Sequence, residues 1–354
     1  MIECVFTIDY EIYGNGEGAL TELIYDPARK LKKAFDQAGS KLVLFVEAAE
    51  LEKIAAAGSD PAIGEVERQI AEFHQDGFEI ALHLHPQWYN ARHRDGSWEL
   101  DYSEYNLCRL PKHRIEEIVD RSTAYLRSVV ASPQFSPLSF RAGNWLFQPT
   151  GTVAEVLSER GIRVDSSVFK GGLLHRHNVD YRPSLGNGYF WRFQRDVNQS
   201  DVDGAMLEIP IYTRMVPCWR MLTTKRLNLQ RNAKVLPRKL SRQDASGMMG
   251  RLRDQLRFRY PLKFDFCRMT LQELNDMIEA VIRDDRRTPG VFKPLVAIGH
   301  TKDLIDFETV HALLGFLKER NIQVSTFQDI YNRCLQQVGN CENVLPPPPI
   351  HVAG

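Results

Sequence analysis

Short apolar runs alternate with amphipathic stretches along most of the chain. Cys4 to Ile8 is an apolar run broken by a single threonine, as in a strand covered on both faces. Asp26-Pro27 opens a helix, with Asp as N-cap and Pro in the first turn, and Gly39 ends it. Residues 41–46 read as a strand, 48–57 and 64–75 as helices, and 78–83 as the next strand. After an irregular stretch over 86–111, a helix over 112–130 leads to a strand at 138–141. A helix over 149–160 leads to a strand at 162–165. The rhythm then breaks. Between Ser166 and Tyr260 one clear strand remains, at 206–211. Regularity returns with helices over 270–283, 306–319 and 328–335 and strands at 295–299 and 323–325. Alternating strand and helix units predict a parallel sheet with helices outside it. The expectation is one domain over residues 1–338 and a disordered Pro-rich tail over 339–354, where Pro346 to Pro349 stand in a row.

In such folds the chemistry gathers at the C-terminal ends of the strands. Asp9, Glu11, His83, His85, Arg141, Asp165 and His300 all fall at or just past a predicted strand end. Asp9 and Glu11 are two apart, so on a strand they point to one side. Carboxylates held that close repel unless a metal ion, a shared proton or solvent relieves them. His83 and His85 share a face in the same way, and two histidines with a carboxylate form a catalytic zinc set. Arg141 reads either as a structural salt bridge or as the group that orients Asp9. Asp165 reads as a turn cap or as a partner for a catalytic histidine. His300 reads as a rim residue or as an acid.

The order of these motifs carries more than each alone. An Asp-Tyr-Glu on the first strand is followed by His-Leu-His-Pro, Phe-Arg-Ala-Gly, Gly-Ile-Arg-Val-Asp-Ser-Ser and Ile-Gly-His. From Cys4 to about Thr326 this order resembles the polysaccharide deacetylase family, carbohydrate esterase family 4. The resemblance implies an α/β fold, a distorted (β/α)7-type barrel of parallel strands. It implies hydrolysis of N- or O-acyl groups on sugars with one divalent metal, usually Zn2+. Asp9 would be the base, Glu11 and His83 metal ligands, Arg141 the partner of Asp9, and His300 the acid that protonates the leaving amine. Asp165 falls near the family's fourth motif, without its usual tryptophan. Tyr10, Trp88, Asn144 and Trp145 are the expected substrate-binding residues. Two features depart from the family. Its first carboxylates are usually adjacent, whereas Tyr10 splits them here. Its two histidines are usually four apart, and four after His83 stands Gln87. His85, on the face of His83, is the expected second ligand; Gln87 or a degraded site are the alternatives.

Charge adds a second feature. Lys plus Arg equal Asp plus Glu at 45 each, so the whole chain is not a polyanion binder. Yet twelve Lys or Arg stand between Arg220 and Arg259, against Asp244 and Asp254. This basic insertion, at about 215–262, predicts an anionic partner: a phosphorylated lipid-linked sugar, an acidic glycan or a membrane surface. Trp219, Phe258 and Tyr260 flank it and could stack on sugars. No nucleic-acid motif accompanies it, and nucleic acid is not expected. No apolar run reaches the roughly 18 residues of a membrane span. Met1-Ile2-Glu3 lacks the basic start of a secretory leader, and six scattered cysteines form no Cys-x-x-Cys pair. A cytoplasmic placement is expected, with a peripheral position at the inner membrane surface as the alternative. The function expected is a metal-dependent deacetylase of bacterial cell-surface polysaccharide metabolism, acting on an acylated sugar or lipid-linked saccharide. The rivals are a catalytically silent glycan-binding barrel and a deformylase or small-molecule amidohydrolase.

Overall fold

The computed structural model describes residues 1–221, 223, 225 and 258–340. Seven strands run parallel to their neighbours along one curled sheet. Their order is Met206–Glu208, Val164–Asp165, Ser139–Ala142, Glu79–Leu84, Val43–Glu47, Ile2–Tyr10 and Lys293–His300. Trp191–Phe193 adds an antiparallel edge, and Gln323–Val324 pairs with the start of the first strand. Pro210 has no N–H to give the ladder, which accounts for the Met206 strand ending sooner than its apolar run does. Ile211 then bridges both Phe169 and Val296 in parallel. That contact brings the far edge of the sheet against the Lys293–His300 strand and curls it into the expected distorted barrel.

The strand period of two sorts the side chains. Val5, Val43, Phe45, Ala81, Val164, Leu207 and Val296 fill the barrel interior, where Phe327, Ile330 and Cys334 of helix Phe327–Asn340 close its lower end. The opposite faces, with Phe6, Ile8, Leu44, Ile80 and Phe140, pack under the outer helices. Thr270 caps helix Leu271–Arg287 in a reciprocal box with Glu273. Helix Phe327–Asn340 runs beyond its predicted end, so residues 339 and 340 are helical rather than tail. Residues 341–354 of the expected tail lie outside the described residues.

The predicted basic insertion is rooted in two antiparallel strands, Thr213–Pro217 and Arg259–Lys263. Most of its charged residues lie outside the described ones. Lys225 is described and is tied to Asp306 at 2.8 Å. Trp219 and Phe258 are exposed and meet edge to face at the root. Among the described residues no helix is long and apolar enough to cross a membrane.

Candidate active site

Register builds the site. Asp9 stands opposite His300, and His83 opposite Arg141. In a parallel pair such neighbours point to the same side, here the barrel interior. One pleat further along, Glu11 and His85 follow Asp9 and His83 onto that side. All six side chains are buried.

Glu11 is the meeting point. Its Oε2 lies 3.4 Å from His83 Nε2 and 3.0 Å from His85 Nε2. One ligand atom from each of these three residues falls within a 4.8 Å cluster, and Asp9, Glu11 and His300 form a second such cluster. Lys302 Nζ donates to Glu11 Oε1 at 2.8 Å and to the Ile12 carbonyl at 2.9 Å. Burial opposes ionisation of Glu11, but Lys302 and His85 outweigh it and hold the carboxyl well below its ordinary range. Burial also disfavours charge on His83, yet the carboxylates of Asp9 and Glu11 raise it to about 9.

The outer contacts fit a metal. His83 Nδ1 is 2.8 Å from the Arg141 carbonyl and donates to it, which leaves Nε2 as the ring nitrogen facing Glu11, the one a metal ion would take in place of a proton. His85 Nδ1 has two side-chain amides beside it, Asn144 Nδ2 at 3.2 Å and Gln87 Nε2 at 3.4 Å. Gln87 Oε1 is buried with no partner. Half-turns of both amides would bring their oxygens to Nδ1 as acceptors and free His85 Nε2 as well. Two imidazole nitrogens and one carboxylate oxygen then converge, a donor set suited to a divalent ion with an open position. Gln87 sits behind His85 in this arrangement rather than beside it.

Arg141 anchors the other half. It is fully buried and donates through Nη1 to Asp9 Oδ1 at 2.6 Å, through Nη2 to Thr7 Oγ1 at 2.9 Å, and through Nε to the Ser166 carbonyl at 2.9 Å. Burial alone would push the Asp9 carboxyl up, but Arg141, with His83 and His300, holds it below its ordinary value. His300 Nε2 is 3.4 Å from Asp9 Oδ2, and its buried Nδ1 faces Asp303 Oδ2 at 3.9 Å without a hydrogen bond. Burial lowers the His300 pKa.

Three expectations are corrected. Asp165 is buried on the other face of the sheet. It stands opposite Phe140, not Arg141, accepts from Ser167 Oγ at 2.7 Å and lies opposite Glu208. A one-residue offset in a strand reverses the face. Tyr10 is turned outward for the same reason, and its hydroxyl donates to Gln69 Oε1 at 2.6 Å within the core. Trp88 is buried in the core against Trp98 and offers no open ring. Asn144 and Trp145 do lie beside the cluster, both partly exposed, on a turn where both residues adopt left-handed backbone angles. Such strain in non-glycine residues marks a turn held by its surroundings.

Other residues of the site were missed from sequence. Glu47 receives the His85 amide at 2.7 Å through Oε2, and burial raises its carboxyl to about 7. It ends a strand, the same signal that pointed to Asp9. Lys302, two after His300, carried no signal of its own. Asp265 reaches the site because its backbone bridges Ile298. Gly143 holds the loop against the site: a Cβ there would lie 2.6 Å from the Leu84 carbonyl and 2.7 Å from His85 Nδ1. Gly143→Ala is expected to displace the His85 ring and weaken metal binding by about tenfold, within the range for lost outer contacts. A competitive chelator titration checks this; unchanged affinity would remove Gly143 from the site.

No family model matches the chain, and no curated protein matches it by sequence. Structures do. Solved proteins similar to it over nearly its whole length include polysaccharide deacetylases and family 4 carbohydrate esterases. A Mycobacterium smegmatis protein named as a polysaccharide deacetylase matches at 14% identity and a TM-score of 0.47, over 99% of this chain and 94% of its own. An allantoinase matches at 12% and 0.48, over 97% and 92%. A family 4 carbohydrate esterase from Streptomyces lividans matches at 9% and 0.38, over 92% of each chain. At such distances the chemistry has to be read from this chain's own residues.

Proposed function

We propose that the protein is a metal-dependent hydrolase that removes an acyl group, most simply acetyl, from nitrogen or oxygen on a sugar. The observation that carries this reading is the shared carboxylate. Glu11 belongs at once to a metal-type cluster with His83 and His85 and to an acid–base cluster with Asp9 and His300. Glu11, His83 and His85 would hold the ion. A divalent ion held there would supply an activated water and polarise an acyl carbonyl. Asp9, ionised through Arg141, accepts the water's proton on Oδ2, since Arg141 occupies Oδ1. His300 stands across from Asp9 and, once protonated, donates from Nε2 to the leaving nitrogen or oxygen. Arg141 keeps Asp9 in place, and ionised until it takes the proton. Zinc is the ion that best suits two imidazoles and a carboxylate.

Metal content measured by elemental mass spectrometry tests the first half. About one zinc per chain is expected in the tag-free protein, with loss in Glu11→Ala and in His85→Ala. Gln87→Ala should keep the metal with affinity weakened about 10–100-fold, as for an outer contact. Zinc retained in both ligand variants would overturn the assignment. Acetate release from acetylated oligosaccharides tests the second half, and a loaded protein that turns over none of them would favour the silent glycan-binding barrel.

A further inference from the structure

Lys263 is a lysine beside the site whose ammonium has no hydrogen bond or ion pair among the described residues. It ends the Arg259–Lys263 strand, after the basic insertion. The next residue, Phe264, is wholly buried in the core, and Asp265 follows on the same side as Lys263. Asp265 is fixed there by its bridge to Ile298, two residues before His300. Lys263 therefore lies alongside the catalytic end, partly exposed. Its Nζ lies 3.0 Å from the centre of the Trp145 ring and 4.7 Å from that of Phe169. The Trp145 ring in turn meets His300 edge-on at 6.2 Å between ring centres. The ammonium is thus two ring contacts from the acid of the proposed reaction, within the electrostatic reach of Asp265 and Arg268 and, more weakly, of Asp9 and Arg141.

An ammonium has three N–H donors. Among the described residues, the Lys263 ammonium makes no hydrogen bond and no ion pair; it meets two aromatic faces. Lys302 and Arg141, the other cations of the site, each grip a carboxylate. Lys263 is partly exposed, and the desolvation it does suffer draws its pKa down to about 7, with the Asp265 carboxylate opposing the shift. A merely structural stem on Trp145 would be served as well by a methionine or leucine. An aromatic floor with a donor head above it suits a sugar ring that carries a negative group.

We infer that Lys263 is a substrate-recognition residue that binds an oxyanion, carboxylate or phosphate, carried by the sugar next to its acyl group. This rests on the hydrolase reading above and names the substrate class for the same site. The bonds broken and formed are those of ordinary acyl hydrolysis; Lys263 adds charge-assisted hydrogen bonds that a neutral sugar cannot accept.

The test compares N-acetylglucosamine with N-acetylglucosamine 6-phosphate and N-acetylmuramic acid, the last two carrying phosphate and carboxylate. Steady-state kinetics are run on wild type, Lys263→Met and Lys263→Arg. Calorimetric binding of glucosamine and glucosamine 6-phosphate is measured on the same zinc-loaded proteins. Wild type should prefer one anionic sugar by kcat/KM. Lys263→Met should cut that preference about tenfold or more, mainly through KM, with Lys263→Arg keeping most of it. The arm that responds tells phosphate from carboxylate. Equal kcat/KM for neutral and anionic sugars, or an equal loss on all of them in Lys263→Met, overturns the inference while leaving the hydrolase reading intact. Lys263-dependent binding of the phosphorylated sugar without any turnover upholds the inference and overturns the hydrolase reading.

Discussion

Asp9→Asn should lower turnover by about 10²–10⁴-fold, the contribution of a positioned proton acceptor, while the protein keeps its metal. Asparagine fills the same space between Arg141 and His300. Its carbonyl oxygen can still accept from Arg141 Nη1, so the barrel loses little. What it cannot do is accept a proton at the position of Oδ2, 3.4 Å from His300 Nε2. Elemental analysis of the variant separates this loss from a metal-ligand loss, because Asp9 lies outside the Glu11, His83 and His85 cluster. Acetate release near the wild-type rate would remove Asp9 from the role of base.

Arg141→Met carries the largest expected cost in stability, about 3–5 kcal/mol, the range for breaking a buried ion pair from one side. The guanidinium is fully buried and holds Asp9, Thr7 and Ser166, with Phe45 beneath it at 4.1 Å. Removing it leaves the Asp9 carboxylate buried beside unpartnered oxygens. Denaturant unfolding of the metal-free protein gives the difference directly. Asp9→Asn added to Arg141→Met should recover part of it, because no unpaired charge then remains. A loss below about 1 kcal/mol would place the pair in the class of solvated ion pairs and make Arg141 dispensable to the fold.

The face on which each side chain falls separates the strand-end residues that meet from those that do not. Asp9, Glu11, His83, His85, Arg141 and His300 are in phase with one another along their strands, and the structure brings all six together. Asp165 and Tyr10 also sit at strand ends, but out of phase, and face the outer layer. Trp88 follows His85 by three residues, yet the turn Pro86–Asn90 folds it under the loop. Strand-end position was visible in the chain; phase relative to the neighbouring strand was not, because register depends on the partner. Gln87 shows the same limit. Spacing made it a rival ligand, whereas its place behind His85 depends on the loop at Gly143 and Asn144.

By itself the sequence determined the succession of strands and helices and the strand ends at which the polar chemistry sits. Those properties are local: apolar period, caps, glycine stops and the alternation of side chains along a strand. Only the tertiary structure decided which of those ends meet. The pairing of Asp9 with His300, the contact of Ile211 with Val296 and the bridge from Asp265 to Ile298 join segments far apart in the chain. Lys263 is the clearest case. In the sequence it stands just past the basic insertion and carries no signal of its own. In the fold, backbone hydrogen bonds to a strand from the other side of that insertion turn it onto Trp145 and toward His300.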